Sequence, residues 1–363
     1  MKKIYFTVTN DLTYDQRMHR ICTSIAHQGY HVTLVGRKLK NSKPLQTKPF
    51  QQKRLWCLFK RGFFFYAEYN VRLFFFLLLN KMDMVCAVDL DTSLACLFSA
   101  RIRKIFAIYD AHEYFTELKE VNERPFVKRV WSRIENYAVP KFDYCYTVSK
   151  SIADEFENKY KKRFEVIRNV PYLKPIDADC QKEAYLFYGG AVNEARGFEY
   201  LIPAMQYIKY KLIICGDGNF MSQLIELIKK YGVCDQIELK GMLLPQDLDT
   251  IARKATIGLN LVAKEGLNQY YSLANKFFDY MQAGLPQVSM NFPEYRAINN
   301  EHEVAVLIDD LSTESVAATI NSLLRNKPLQ NKLRENCLRA RKIYNWQNEE
   351  KKLADFYGRI FNE

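Results

Sequence analysis

The chain has 363 residues, which is enough for two domains of about 150 to 200 residues each. Hydrophobic residues make up 48% and charged residues 26%, and Gly and Pro are infrequent, so a disordered, fibrous or low-complexity protein is excluded. The nine Cys form no CxxC pair and no cluster with His. Because several fall within apolar runs (Cys22, Cys96 and Cys215), we expect buried, reduced thiols and neither a zinc site nor a disulfide framework.

The charge is uneven along the chain. Residues 1–175 hold 31 Lys and Arg against 17 Asp and Glu, a net +14, whereas residues 176–363 hold 22 against 24, a net −2. This asymmetry predicts two domains that face different partners. We expect the basic half to meet something anionic: a phospholipid surface, a nucleic acid or a phosphorylated substrate.

The N-terminal residues predict a first strand and no secretory signal, because the apolar run Ile4–Val8 is too short for a signal core. The longest purely apolar run near residue 75 is Leu73–Leu79, seven residues, whereas a membrane span needs about 20. We therefore expect no transmembrane helix and a cytoplasmic protein.

Strands and helices alternate along the first half. The best-patterned helix is Asp15–Gln28, in which apolar residues recur at helical spacing and Gly29 stands in the stop position. The strands predicted for this half are Ile4–Val8, His31–Val35, Met84–Val88, Ile105–Tyr109 and Cys145–Val148.

The second half repeats this alternation. The predicted strands are Tyr185–Tyr188, Leu212–Cys215, Ile237–Leu239, Ile257–Val262 and Val304–Ile308. The predicted helices are Gly197–Met205, Phe220–Tyr231, Ser272–Ala283 and Glu314–Arg325. Because parallel strands need crossover helices, the pattern predicts two parallel-sheet α/β domains, with a boundary in Asn169–Glu183. Ligands of such sheets bind at the carboxyl ends of the strands, so the cleft between the domains is the expected site.

The segment Tyr188–Gly197 carries the first candidate site. It follows a predicted strand and opens a predicted helix, and Gly189 and Gly190 would let the backbone approach a ligand closely. A helix N-terminus favours an anion, and Arg196 could add charge-assisted bonds to a phosphate. A tight turn with a solvated Arg would have the same sequence pattern.

The predicted helix Ser272–Ala283 carries the second. Asn275 and Asp279 are four residues apart and share a helix face, so a carboxylate could meet a ribose diol there. Lys276 lies near the start of the helix, where phosphates are also favoured. The alternative is an exposed polar face above apolar core residues.

A third segment, Gly216-Asp217-Gly218, follows a predicted strand. It could lie beside a nucleotide base or form only a turn.

Taken together, these segments resemble the family 4 glycosyltransferases of the GT-B fold, which have two Rossmann-like parallel-sheet domains facing a cleft. The resemblance spans nearly the whole chain and is nearest to bacterial members that build surface polysaccharides. The segments that carry it are Asp110–Glu113, Val148–Ser151, Arg196-Gly197, Gly216–Gly218, the Gly241 loop and the helix with Asn275, Lys276, Asp279, Gly284 and Pro286.

The resemblance implies an acceptor-binding domain over residues 1–170, a nucleotide-sugar domain over 171–340 and a closing helix over 341–363 that returns to the first domain. Gly189, Gly190, Arg196 and Lys276 would hold the diphosphate of a UDP- or GDP-linked sugar, and no cofactor is expected. Asp279 and Asn275 would meet the ribose. Gly216, Asp217, Gly218 and the Gly241 loop would flank the base.

Two departures from the family pattern leave the donor sugar open. The first Glu of the Glu-x7-Glu motif falls at Tyr271, so a carboxylate that usually holds donor-sugar hydroxyls is missing or supplied elsewhere, for example by Glu265. The usual Arg of the Gly-rich loop falls at Ala191, which leaves more of the phosphate charge to Arg196 and Lys276.

The mechanism that the resemblance implies is retaining transfer without a metal. Arg196 and Lys276 would stabilise the leaving nucleoside diphosphate, and the departing phosphate would take the acceptor's proton. His112 stands where the family has a His that contacts the donor sugar near the reacting carbon; a His held by local hydrogen bonds is the alternative. The Asp89-Leu90-Asp91 segment superficially copies a metal-binding Asp-x-Asp but is interpreted as a loop on the acceptor side.

Residues 37–67 contain nine Lys and Arg, no Asp or Glu, and several interleaved aromatic residues. Such a stretch suits an anionic membrane surface and a lipid-diphosphate sugar acceptor, at the inner face of the membrane. A core helix over Tyr66–Asn80 with solvated charges is the alternative, and nucleic-acid binding is the weaker one.

Two rival functions remain open at this point. A catalytically silent GT-B scaffold would fit the missing Glu at Tyr271. A GT-B-type sugar-nucleotide epimerase would need paired acid/base carboxylates, for which Glu113 is the one persuasive candidate.

Overall fold

A computed structural model describes residues 1–175 and 181–362 and divides the chain into two compact units. Unit 1 runs from Met1 to Asn169 and includes the residues from Glu349 onwards, and unit 2 is the continuous segment Val170–Asn348. The predicted boundary between residues 170 and 171 lies one residue from this division. Residues 341–348, which we grouped with the closing helix, belong instead to unit 2. Part of the predicted linker, residues 176–180, lies outside the described residues.

Unit 1 is built on a seven-stranded parallel sheet in the order β3-β2-β1-β4-β5-β6-β7. Its strands are β1 (Lys3–Thr7), β2 (His31–Lys38), β3 (Gln51–Trp56), β4 (Met84–Val88), β5 (Phe106–Ala111), β6 (Tyr144–Thr147) and β7 (Glu165–Val166). Its first six helices are α1 (Gln16–His27), α2 (Gly62–Leu79), α3 (Ser93–Arg103), α4 (Lys119–Asn122), α5 (Pro125–Ala138) and α6 (Lys150–Tyr160).

Unit 2 has a six-stranded parallel sheet in the order β10-β9-β8-β11-β12-β13. Its strands are β8 (Tyr185–Gly189), β9 (Lys211–Cys215), β10 (Ile237–Gly241), β11 (Ile257–Asn260), β12 (Gln287–Met290) and β13 (Ala305–Ile308). Its helices are α7 (Phe198–Ala204), α8 (Met221–Lys230), α9 (Pro245–Lys254), α10 (Leu267–Tyr271), α11 (Asn275–Gln282), α12 (Pro293–His302), α13 (Thr313–Arg325) and α14 (Lys327–Ala340). The predicted fold class, two Rossmann-like parallel-sheet domains, is confirmed.

The last helix, α15 (Trp346–Asn362), completes the core of unit 1. The ring of Tyr357 lies 5.9 Å from that of Phe6 on β1, and the ring of Phe356 lies 5.2 Å from that of Tyr146 on β6. All four side chains are buried. The N-terminal sheet therefore depends on residues from the opposite end of the chain.

Three strands were missed by the sequence analysis, namely β3, β7 and β12. β3 has the mostly polar sequence QQKRLW and forms an edge of its sheet, so it lacks the apolar run that marks a buried strand. β7 has only two residues. β12 is short and carries Gln287 and Ser289, which are fully buried and, as polar residues, weaken the apolar signal.

The helix α2 corrects the expectation that no segment is long and apolar enough to span a membrane. By length and composition alone, this helix of 18 residues could span a membrane. Core helices of water-soluble proteins meet the same two criteria. About 22% of it is buried within the protein. The buried side chains are Phe65, Tyr69, Leu73 and Leu77, which recur every four residues and pack into unit 1.

The cysteines in the described residues are free thiols. Cys22, Cys96 and Cys215 are buried, as predicted, whereas Cys234 is exposed and Cys57 lies partly buried. Cys180 lies outside the described residues.

Candidate functional site

Three glycine-containing loops meet at the carboxyl ends of β8, β9 and β10. The Gly190 N–H donates to the Cys215 carbonyl at 2.9 Å, and the Gly216 N–H donates to the Gly241 carbonyl at 2.8 Å. A Cβ on Gly216 would lie 1.8 Å from the Gly190 carbonyl oxygen, and Gly216 has φ +150°. A Cβ on Gly218 would lie 2.2 Å from the Val192 carbonyl oxygen. These glycines therefore allow the loops to approach one another closely, whereas the close approach to a ligand that we expected from the sequence stays a prediction.

Lys276 is a buried cation beside the first of these loops. Its side chain is 7% exposed, and its Nζ has no hydrogen-bond partner among the described residues. Nζ lies 3.7 Å from the centre of the Tyr188 ring, and Cε lies 3.6 Å from where a Cβ of Gly190 would stand. Burial and the neighbouring charge of Arg196 hold the pKa of Lys276 well below its usual value, against a smaller opposing effect of Asp279. Because burial disfavours the charged form of this lysine, an anion beside Nζ would stabilise the ammonium.

The helix α11 positions Lys276 and begins at Asn275, three residues later than predicted, because Ser272–Ala274 is extended. The Ala274 N–H donates to the Tyr295 hydroxyl. Tyr280 fixes the helix against the sheet, since its hydroxyl accepts from the Gly189 N–H at 3.1 Å and donates to the Leu259 carbonyl at 3.2 Å. The alternative interpretation, an exposed polar face, applies to two of the three candidates: Asn275 and Asp279 are exposed and one turn apart, whereas Lys276 is buried.

Arg196 lies at the end of the Gly-rich loop and is half-buried. Its charge acts on both Lys276 and Tyr188, which places it near the buried ammonium. The preceding residue, Ala195, has φ +61°, and its carbonyl accepts from the Ala263 N–H at 2.9 Å. This bond joins the Gly-rich loop to the segment that follows β11.

That segment contains one of the two departures from the family pattern, Tyr271, whereas the other, Ala191, is exposed in the Gly-rich loop after β8. Glu265, the predicted substitute for the missing carboxylate, lies between β11 and α10, and its N–H donates to the Gln269 side chain. Tyr271 is the last residue of α10, with its ring 5.3 Å from that of Tyr270.

The turn after β9 contains Asp217, which is exposed. Its carboxylate accepts a hydrogen bond from the Gly218 N–H at 2.8 Å, which stabilises the turn locally.

Unit 1 holds a separate polar cavity of about 170 Å³ at the carboxyl ends of β1 and β4. It is lined by Val8, Thr9, Asn10, Asp15, Arg17, Met18, Val88, Asp89, Asp91 and His112. Arg17 donates two hydrogen bonds, of 2.7 and 2.6 Å, to the two oxygens of Asp110, and both side chains are buried. The sequence analysis named Asp110 only as part of a motif and missed this partner, because the two residues are far apart in sequence.

His112 lies in this cavity with Asp89 as its partner. Its Nδ1 is 3.5 Å from Asp89 Oδ2, and Asp89 Oδ1 accepts from the Glu113 N–H at 3.1 Å. Burial disfavours the charged imidazole, but the hydrogen bond with Asp89 and the charges of Asp89 and Glu113 outweigh it, so the pKa of His112 is raised. Asp89 itself has φ +60°, a left-handed conformation that is uncommon for a residue other than glycine.

The second carboxylate of the Asp-x-Asp segment has a different environment. Asp91 is buried and accepts a hydrogen bond from the Thr9 hydroxyl. Burial and the charge of Asp89 raise the pKa of Asp91 to about 7, against the smaller effect of the Thr9 hydrogen bond. Asp89 and Asp91 are thus engaged by different partners, one by an imidazole and the other by a hydroxyl.

Two family models match this chain, one in each unit. Residues 16–170 match the model described as "Glycosyltransferase Family 4", and residues 175–339 match the model described as "Glycosyl transferases group 1". Together they cover most of the chain. It belongs to the family 4 glycosyltransferases. The resemblance to the family 4 glycosyltransferases of the GT-B fold is thereby confirmed, and this glycosyltransferase is an enzyme; the bacterial surface-polysaccharide type stays a prediction.

Solved structures share the fold of this glycosyltransferase at low sequence identity. Sucrose-phosphate synthase from Thermosynechococcus elongatus superposes with a TM-score of 0.82 at 13% identity, over 100% of both chains. Anabaena Alr3699/HepE in complex with UDP-glucose gives a TM-score of 0.75 at 12% identity, over 99% of this chain and 100% of the other. WaaG, a glycosyltransferase involved in lipopolysaccharide biosynthesis, gives a TM-score of 0.74 at 17% identity, over 97% of this chain and 99% of the other. A search of curated protein sequences finds no match.

Proposed function

We propose that this glycosyltransferase moves a sugar from a UDP- or GDP-linked donor to a lipid-linked glycan acceptor, with retention of configuration and without a metal ion. The observation that carries the donor half of this proposal is the buried, unpartnered Nζ of Lys276 beside Gly190. A diphosphate between Lys276 and Arg196 would supply the missing anion. The UDP and UDP-glucose bound to Anabaena HepE support a nucleotide-linked donor of this type.

The proposed transfer uses charge stabilisation instead of a protein nucleophile. The bond between the anomeric carbon and the β-phosphate oxygen breaks while the acceptor oxygen forms its bond to that carbon. The acceptor's proton passes to the departing phosphate, so a separate general base is not needed. Lys276 and Arg196 stabilise the charge that develops on the phosphate, and loss of one such group costs about 10²–10³ in rate.

The other site residues have supporting roles in this proposal. Asp279 and Asn275, exposed one turn apart on α11, would bind the ribose, and Gly216, Asp217 and Gly218 would flank the base. His112, whose Nδ1 lies 3.5 Å from Asp89 Oδ2, would contact the donor sugar near the reacting carbon.

We further propose that the acceptor is reached at the inner face of a membrane, in surface polysaccharide synthesis, and that residues 37–67 contact anionic lipid. The nine Lys and Arg of that stretch, without a single Asp or Glu, support this placement. WaaG, which shares the fold, is described as acting in lipopolysaccharide biosynthesis.

The test is a binding screen with UDP, GDP and their sugar conjugates, followed by transfer assays with lipid-linked acceptors. We expect Arg196→Ala to lose binding and turnover while its unfolding temperature stays near that of the wild type. The matched control is Lys229→Ala, because Lys229 is exposed on α8 and should leave binding unchanged. Full activity of Arg196→Ala would overturn the phosphate assignment. Donor binding without turnover would favour a silent scaffold, which Tyr271 in place of Glu supports, and release of an epimerised sugar nucleotide would favour an epimerase.

A further inference from the structure

An apolar stripe runs along the outward face of α2. Phe64, Val71, Phe75 and Leu79 recur at spacings of seven, four and four residues and are 64%, 57%, 57% and 84% exposed. They lie on the side opposite the four buried residues of the same helix. Soluble proteins seldom leave a run of large apolar side chains in water without a function.

The segment before α2 extends this stripe. The rings of Phe59 and Phe64 stack at 5.4 Å, and those of Phe63 and Phe64 meet edge-on at 5.7 Å. Leu58 and Phe63 are 63% and 71% exposed. Their presentation is fixed by the backbone, because the N–H groups of Leu58 and Phe59 both donate to the Glu68 carboxylate, at 2.9 Å.

The two charged residues of α2 neutralise one another, and Glu68 lies in line with the stripe, four residues after Phe64 and three before Val71. Arg72 bonds to Glu68 at 2.7 Å, and its guanidinium lies over the Trp56 ring, 5.2 Å from the centre. The two N–H donors to Glu68 and its bond with Arg72 hold the pKa of the Glu68 carboxyl below its usual value. The outward face therefore carries no unpaired acid among the described residues of the helix.

Basic residues stand at both ends of the stripe. Lys60 and Arg61 precede α2 and are exposed. At the other end Arg103 donates to the Leu78 carbonyl at 2.7 Å, which brings the last turn of α3, with exposed Arg101 and Ile102, beside the end of α2. An apolar face with cations at both ends matches the boundary between acyl chains and anionic headgroups, for a helix that lies in the membrane plane.

We infer that α2 is a monotopic membrane anchor, which inserts Phe64, Val71, Phe75 and Leu79 into the acyl-chain boundary of an anionic bilayer without crossing it. Crossing would strip Phe65, Tyr69, Leu73 and Leu77 from the core of unit 1 and is therefore not the mode of attachment. This inference rests on the proposed membrane-side function and specifies the surface, since the exposed apolar residues extend well beyond the basic stretch 37–67.

The experiment is flotation of the full chain with phosphatidylcholine vesicles, with and without phosphatidylglycerol, at low and high salt. Wild-type protein should bind the anionic vesicles and keep part of that binding at high salt, because apolar insertion is not screened. Phe64→Ser/Phe75→Ser should reduce binding about tenfold or more under both conditions. Lys60→Gln/Arg61→Gln should weaken only the low-salt binding. Tyr207→Ser, which alters a 64% exposed aromatic residue of unit 2, should change nothing.

A second readout reports depth. Brominated acyl chains should quench tryptophan fluorescence in the wild type, and Trp56→Phe should lose most of that quenching while still binding.

Three results would each overturn the inference. They are complete release of the wild type from vesicles at high salt, vesicle binding by Phe64→Ser/Phe75→Ser at the wild-type level, and a dimer in sedimentation that this double variant abolishes. UDP and GDP binding, measured in parallel by thermal shift, separates the two proposals: it should be the same in all these variants, and its absence counts only against the proposed function.

Discussion

The ammonium of Lys276 lies against the face of the Tyr188 ring at 3.7 Å, although a hydrogen-bonding anion would be a better partner for it. The ring quadrupole compensates only part of the lost hydration. The position where the proposed diphosphate binds thus holds a lysine whose charged form is disfavoured by burial.

We therefore predict that Lys276→Met separates stability from activity. Replacing the charge with an apolar chain of similar length should raise the free energy of unfolding by about 1–3 kcal/mol while lowering the transfer rate about 10²–10³-fold. The gain should be larger at pH 6 than at pH 9, because a lysine whose pKa is depressed by folding destabilises the protein more as the pH falls. Calorimetry and a donor-transfer assay check both effects. Lys229→Met, at an exposed lysine of α8, is the control, and a Lys276→Met variant less stable than the wild type would contradict the explanation.

The contact between Gly216 and Gly190 predicts a strict requirement for glycine. Gly216→Ala would place a Cβ 1.8 Å from a carbonyl oxygen at a backbone φ of +150°, so the loops after β8 and β9 must separate. We expect a loss of several kcal/mol in stability together with loss of UDP or GDP binding. Gly232→Ala is the matched control: its φ is +66°, but no atom lies within 4 Å of the new Cβ, so the cost should be only about 1–2 kcal/mol. Equal effects of the two substitutions would show that the close approach is unimportant.

The buried carboxyl of Asp91 predicts that its replacement by Asn changes the stability of unit 1 in a pH-dependent way. Its pKa rises from an ordinary value near 4 when unfolded to about 7 when folded, so the folded state binds the extra proton and stability falls as the pH rises between these values. Asp91→Asn removes this dependence. We expect the variant to be more stable than the wild type by a few kcal/mol at pH 8 and similar to it below pH 4. Chemical unfolding at several pH values measures this, and a constant difference across the range would contradict it.

The pairing of His112 with Asp89 predicts a shift in histidine titration. Asp89→Asn should lower the pKa of His112, because the carboxylate that stabilises the charged imidazole is gone. Histidine NMR resonances over a pH series measure the change, and His302, which lies in unit 2, serves as the internal control. If the pKa of His112 were the same in Asp89→Asn as in the wild type, Asp89 would not be the residue that stabilises the charged imidazole.

The sequence predicted the sheets better than the site. Buried parallel strands are continuous apolar runs, so Met84–Val88 was predicted residue for residue, whereas the polar edge strand Gln51–Trp56 gave no such run. The length of the apolar helix Gly62–Leu79 was underestimated from the sequence because Glu68 and Arg72 interrupt its apolar run. On the folded helix these two residues pair with one another.

For the site, local sequence identified the glycines and cations but not their environments. Lys276 shares a helix with the exposed Asn275 and Asp279, and its burial depends on Tyr188 and Gly190, almost 90 residues earlier in the chain. The bidentate pair of Arg17 and Asp110 likewise joins α1 to β5, and no sequence feature near either residue indicates that the other is its partner. Pairings of this kind depend on the topology of the sheet.

The packing of Tyr357 against Phe6 has a consequence for biosynthesis. Unit 2 is one uninterrupted stretch, whereas the core of unit 1 includes α15, which is translated after unit 2. The sheet of unit 1 thus completes its core only after unit 2 has been made, and deleting residues 349–362 should damage that sheet while leaving the sheet of unit 2 intact.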